Sequence, residues 1–281
     1  MGYRICVIGL GLMGASLCGA LRGFRGARIV GMDVLGDVRE RAERSGLVDF
    51  AATNAGDAIE GSDLVVFCVY AHNIPEMIGE HARRFRRGAV VSDICGVKGA
   101  LYARLEGLLP DDVDYVGIHP MAGRERDGFD NADPAIYENS GMIITPLPRS
   151  KPEGVSLMRE MAEHIGASRI AVTPPEEHDA IIAYTSDLMH IASAGLCMDF
   201  HPGMTPAHAA GAFRDCTRVA DINAGAWTEL LMSNRRHVLE RLDIYMNNLS
   251  RVREALASGD ERELFSLLDA AGGNKREMLA R

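Results

Sequence analysis

The chain has 281 residues, 47% hydrophobic and 25% charged, with 30 basic and 39 acidic side chains for a net charge of −9. That length predicts one large or two smaller domains, and the composition excludes a disordered chain. The acidic balance argues against a general nucleic-acid binder, and no apolar run approaches the roughly 20 residues of a membrane span.

The first residues, Met1-Gly2-Tyr3-Arg4, run at once into Ile5-Cys6-Val7-Ile8, without the features of a signal peptide. The six cysteines, Cys6, Cys18, Cys68, Cys95, Cys197 and Cys216, show no C-x-x-C pair and no metal spacing. Most lie in apolar runs, so reduced thiols and a cytoplasmic location are expected.

Short apolar runs at 4–10, 27–33, 63–69, 89–94, 115–119, 141–145 and 168–173 read as strands. Helix-like stretches at 74–85, 97–109 and 152–165 lie between several of them. Continuous apolar strands alternating with helices predict a doubly wound, mainly parallel α/β sheet covered on both faces, over residues 1–173. Beyond Thr173 no further strand is evident. Pro174-Pro175 punctuates the chain, and Glu176-Glu177 suits a helix N-terminus. Residues 174–281 therefore read as an all-helical second domain. Val238, Leu242, Tyr245, Leu249, Val252 and Leu256 form a seam near period 3.5, suited to packing or self-association.

Gly9-Leu10-Gly11-Leu12-Met13-Gly14 stands between the first strand and a helix, the context of a dinucleotide-binding turn. Gly9 permits the tight turn, Gly11 lets the backbone approach a pyrophosphate, and Gly14 allows close helix packing. The N–H groups from Leu12 and Met13 onward meet the phosphates. Asp33, 19 positions after Gly14, suits the ribose hydroxyls and would repel a 2′-phosphate, so NAD is expected. Val69, Ser92 and Asp93, at strand carboxyl ends, complete the expected cofactor contacts.

Three further segments carry chemistry. Ser92-Asp93-Ile94-Cys95-Gly96-Val97-Lys98 and His119-Pro120-Met121-Ala122-Gly123-Arg124-Glu125 both follow strands, where ligands of open α/β sheets collect. In the helical part, Ser186–His190 precedes Arg214-Asp215-Cys216-Thr217-Arg218. Arg218 has the fork geometry for a substrate carboxylate.

These residues resemble the prephenate/arogenate dehydrogenases of tyrosine biosynthesis. The resemblance is carried by the glycine turn, Asp93-x-x-Gly-Val-Lys98, His119-Pro-Met-Ala-Gly123 with Glu125, His190 and Asp215-x-Thr-Arg218. It implies a nucleotide domain followed by a helical domain that forms a homodimer, with no regulatory domain after Arg281. It also implies NAD-dependent oxidation of the ring alcohol of prephenate, followed by loss of carbon dioxide to 4-hydroxyphenylpyruvate. His119 would be the base, Arg218 would hold the ring carboxylate, and His190 would anchor the substrate. Gly96 and Lys98 complete the expected substrate contacts, although Lys98 could instead steady its turn. No metal, nucleic acid or membrane enters this reading.

Some positions depart from the family pattern. Gly96 stands where a serine usually contacts the catalytic histidine, with Cys95 at the preceding glycine position. This leaves the orientation of His119 to water or another side chain. Arg124 replaces a small residue, and Asp187 stands where some members carry a second histidine. Trp227 reads as domain or dimer packing rather than pocket wall.

Arogenate is the alternative substrate; its ammonium would need a carboxylate such as Asp187 or Glu125. The β-hydroxyacid dehydrogenases share a similar glycine turn, but their catalytic lysine lies in the helical domain. No lysine occurs here between Pro175 and Asn274. An NAD-sensing regulator would need a readout surface, and none is visible.

Overall fold

A computed structural model describes residues 2–123, 127–199 and 201–280. Arg124 and Glu125, singled out from the sequence, lie outside the described residues. The chain separates into two compact units, Met1–Asn234 and Arg235–Arg281.

Among the described residues the first unit has eight strands. They are β1 (Arg4–Ile8), β2 (Arg28–Met32), β3 (Phe50–Ala52), β4 (Leu64–Phe67), β5 (Val90–Asp93), β6 (Asp114–Met121), β7 (Gly141–Pro146) and β8 (Arg169–Val172), in the order β3-β2-β1-β4-β5-β6-β7-β8. Every neighbouring pair is parallel except β6 with β7. The expected doubly wound α/β architecture is therefore present, with one antiparallel pairing inside it. The three-residue strand β3 lies outside the expected apolar runs, its sequence Phe-Ala-Ala carrying no β-branched residue.

Burial explains why the strands read as unbroken apolar runs. On β1, Ile5 and Val7 pack into one core, whereas Cys6 and Ile8 pack into the other. On β4, Leu64 and Val66 alternate with Val65 and Phe67 in the same way. Successive side chains point to opposite faces, so a sheet with a core on each side needs apolar residues at every position. Full burial of each such side chain contributes about 1.5–3 kcal/mol.

Helices α1 (Leu12–Ala20), α2 (Gly36–Arg44), α3 (Ala55–Ile59), α4 (Ile74–His81), α5 (Gly99–Leu105) and α6 (Pro152–His164) connect strands of the sheet. After β8 the unit is helical, with α7 (Pro175–Ile182), a π-helical turn (Ala183–Asp187), α8 (Leu188–Cys197), α9 (Gly211–Thr217) and α10 (Ala224–Ser233). The stretch Pro175–Cys197 is long and apolar enough to cross a membrane by length and composition alone. It carries Asp179 and Asp187, both buried and bonded to groups of the same unit.

The second unit comprises α11 (Arg235–Ser258) and α12 (Glu261–Ala280), which pack on each other. Of the predicted seam, Val238 is buried, while Leu249 and Leu256 are exposed.

Candidate active site

The β1–α1 turn is shaped by sterics. Gly9 has φ +94°, and a Cβ there would lie 2.4 Å from the Cys68 carbonyl oxygen. A Cβ on Gly14 would fall 1.8 Å from the Gly9 carbonyl oxygen, so both positions exclude a side chain. Gly11 caps α1 without a side-chain hydrogen bond and borders open space. The helix N-terminus can thus present its backbone N–H groups to an anion. Leu12 is buried and Met13 half-buried, which leaves their backbone for this role.

Asp33 follows β2 directly. Its Oδ2 accepts the Leu10 N–H at 2.8 Å, and its Oδ1 accepts the Leu35 N–H at 3.0 Å. The carboxylate is therefore held beside the glycine turn, as a ribose-binding acid must be. Val69 packs here too, with its Cγ1 2.8 Å from where a Gly9 Cβ would stand.

Ser92 and Asp93 end β5, with their side chains turned away from solvent. Both are fully buried. Asp93 accepts from the Cys95 N–H at 2.8 Å, the Tyr115 hydroxyl at 2.8 Å and the Lys98 ammonium at 2.5 Å. Lys98 is equally buried, and its Nζ also donates to the Ile118 carbonyl at 2.6 Å. The expected substrate contact at Lys98 is thereby corrected. Its charge is spent inside the core, steadying the turn and the strand that delivers His119.

A cavity of about 630 Å³ opens at the carboxyl ends of the strands, and its wall includes Gly96, His119, Asp187, His190, Arg218 and Trp227. Four sequence-predicted groups, Gly96, His119, His190 and Arg218, are thus brought together from far apart in the chain. Trp227 is pocket wall rather than packing elsewhere, with its ring 3.7 Å from that of His190. The His190 Nδ1 bonds the Ser186 carbonyl at 2.9 Å. Burial and the nearby Arg218 guanidinium hold the His190 pKa below its ordinary value.

His119 lies on β6, half-buried, with its ring toward Gly96. A Cβ on Gly96 would be 3.7 Å from both Cε1 and Nε2 of the ring, so glycine leaves room on that side. The other ring nitrogen, Nδ1, is 3.0 Å from Nε2 of His178. His178 in turn places its Nδ1 2.8 Å from Oδ1 of Asp179. Burial first, with the Lys98 ammonium nearby, pushes His119 well below the usual histidine pKa.

His178 and Asp179 were absent from the sequence-derived site. Their signal, a His-Asp pair one turn into a helix, is short and acquires meaning only by meeting His119.

Comparison with known proteins identifies the family of the chain. Residues 18–171 match the family model for the prephenate dehydrogenase nucleotide-binding domain, and residues 174–270 match that for its dimerization domain. A cyclohexadienyl dehydrogenase of Zymomonas mobilis is 30% identical over 264 residues, 92% of this chain and 89% of the relative. A prephenate dehydrogenase from A. aeolicus, crystallised with hydroxyphenyl propionate and NAD+, superposes with TM-score 0.87 at 25% identity, covering 99% of each chain. The Synechocystis arogenate dehydrogenase structure gives 0.84 at 28% identity, covering 98% of this chain and all of that one. With both family models matched in order along the chain, it belongs to the prephenate dehydrogenase family.

Proposed function

We propose that the chain oxidises prephenate with NAD and releases carbon dioxide, forming 4-hydroxyphenylpyruvate. The observation that carries this reading is the placing of His119 and Arg218 on one cavity wall. A base and a guanidinium are the two groups needed for a hydroxyl and a carboxylate at opposite ends of one ring.

The glycine turn, the uncapped start of α1 and the Asp33 carboxylate suit a dinucleotide whose ribose is not phosphorylated. NAD bound there supplies the hydride acceptor. His119 Nε2 takes the hydroxyl proton as the hydride leaves the same carbon, turning the ring C–O bond into a carbonyl. Arg218 holds the ring carboxylate, and His190, braced by Ser186 and Trp227, lines the adjoining wall. When the carboxylate leaves as carbon dioxide, the electron pair of the broken C–C bond enters the conjugated carbonyl and the ring aromatises. The O–H of the resulting phenol takes up one proton.

Arogenate is a second reading that one observation favours. Asp187 is buried in the cavity wall, and among the described residues its Oδ1 has no hydrogen-bond donor. A substrate ammonium would fill that need.

A homodimer in the cytoplasm completes the proposal, with residues 1–173 as nucleotide domain and 174–281 as substrate and dimerisation domain. Exposed Leu249, Leu256, Phe265 and Leu268 on the second unit support a surface made for a partner copy.

The test is reduced-nicotinamide absorbance with purified protein, offering prephenate or arogenate with NAD or NADP. Turnover of prephenate with NAD is expected. Silence in all four mixtures would overturn the reading. Asp187→Asn should selectively weaken arogenate turnover if the second reading holds.

A further inference from the structure

We propose that His178 and Asp179 are positioning residues that hold His119 as the tautomer with Nδ1 protonated and Nε2 free toward the cavity. The inference rests on the reading of His119 as the base.

Asp179 Oδ1 accepts the Lys98 N–H at 2.9 Å, and Oδ2 accepts the Gly99 N–H at 2.8 Å. A Cβ on Gly99 would stand 3.0 Å from Oδ2, so the carboxylate fits closely against a backbone that only donates to it. An ionised carboxylate has no proton to give. Toward His178 Nδ1, 2.8 Å away, it can only accept, so that nitrogen carries the proton. His178 is fully buried, and burial holds its pKa below the ordinary value, which favours the neutral ring. A neutral ring protonated on Nδ1 has a lone pair on Nε2. Nε2 is the atom 3.0 Å from His119 Nδ1, which must therefore donate. The lone pair of His119 is left on Nε2, the nitrogen beside Gly96.

The polarity of the whole chain is thus set at Asp179, two rings away from the substrate. When His119 takes a proton on Nε2, its Nδ1–H donates to His178 as a charge-assisted bond, which is stronger than the neutral one. No further proton need move; the Nε2 proton leaves to solvent after turnover. With glycine at 96, this pair does from behind the ring what a side chain beside Nε2 could otherwise do from the front.

Two measurements test the inference. Histidine-selective ¹⁵N NMR of the wild-type protein at pH 7.5, with ring signals assigned by His119→Asn and His178→Gln, reports the tautomer without any substrate. His119 protonated on Nδ1 is expected; His119 protonated on Nε2 overturns the inference, whatever the enzyme turns over.

The second measurement is kinetic. His178→Ala should lower kcat by about 100-fold while the KM for NAD stays within about threefold, the scale of a misdirected base. His178→Gln places an amide oxygen near the lost Nε2 and should recover about tenfold of that loss. A glutamine variant no faster than alanine overturns the inference. If the wild type turns over no cyclohexadienol, the proposed function fails, and the NMR result still decides the tautomer.

Discussion

The Lys98 ammonium lies 2.5 Å from Asp93 Oδ1, and neither side chain reaches solvent. The same ammonium holds the carbonyl of Ile118, the residue before His119. An ion pair in a low-dielectric core stays favourable only while every partner is present.

Removing one member therefore isolates a charge. Lys98→Met should destabilise the fold by about 3–5 kcal/mol. The double variant Lys98→Met/Asp93→Asn should recover part of that loss. Urea denaturation of the three proteins checks this, and equal stability of wild type and single variant would contradict it.

His119→Asn should cost roughly 10²–10⁴ in turnover, the range for losing a positioned base. NAD affinity by calorimetry should be nearly unchanged, because the glycine turn and Asp33 lie elsewhere. A base works when unprotonated, and burial with nearby charge holds His119 well below its ordinary 6.5. The acidic limb of kcat/KM should accordingly fall below pH 6.5 and disappear in the variant.

Arg218→Gln should act on substrate binding. Loss of a charge-assisted contact of about 2 kcal/mol corresponds to a KM about 30-fold higher. Arg218→Lys should recover only part, because an ammonium has no planar fork for a carboxylate. An unchanged KM for the glutamine variant would refute the contact.

Asp187 makes a prediction about stability and pH. Burial raises its carboxyl from the ordinary 3.8 to about 6 in the folded protein. The folded state therefore binds the proton more tightly than the unfolded one. Its penalty is absent below about pH 4, grows as pH rises, and is complete above about pH 6, at up to about 3 kcal/mol. Asp187→Asn should raise Tm at pH 7.5 and lose that advantage near pH 4. A Tm difference independent of pH would show that the carboxylate is not the cause.

What was legible in the residues followed from local constraint. The glycine turn is legible because Gly9 and Gly14 sit where a Cβ meets backbone a few ångströms away, so short-range sterics select the residue type. The sheet is legible because two-sided burial writes itself as unbroken apolar runs. His119 and Arg218 are legible because their neighbours form recognisable motifs.

Burial and long-range contact were decided by the fold alone. Ser92, Asp93 and Lys98 look like ligand-facing polar residues after a strand, yet the packing of β5 and β6 seals them inside. Trp227 gained its place in the cavity wall only when α8 and α10 brought it onto His190. His178 stands 59 positions from His119, and no periodicity joins them. Local chemistry, set by neighbours in the chain, reads from the sequence. The partner of a side chain is set by neighbours in space, and for His119 that partner appears only once the helix after β8 folds back against β6.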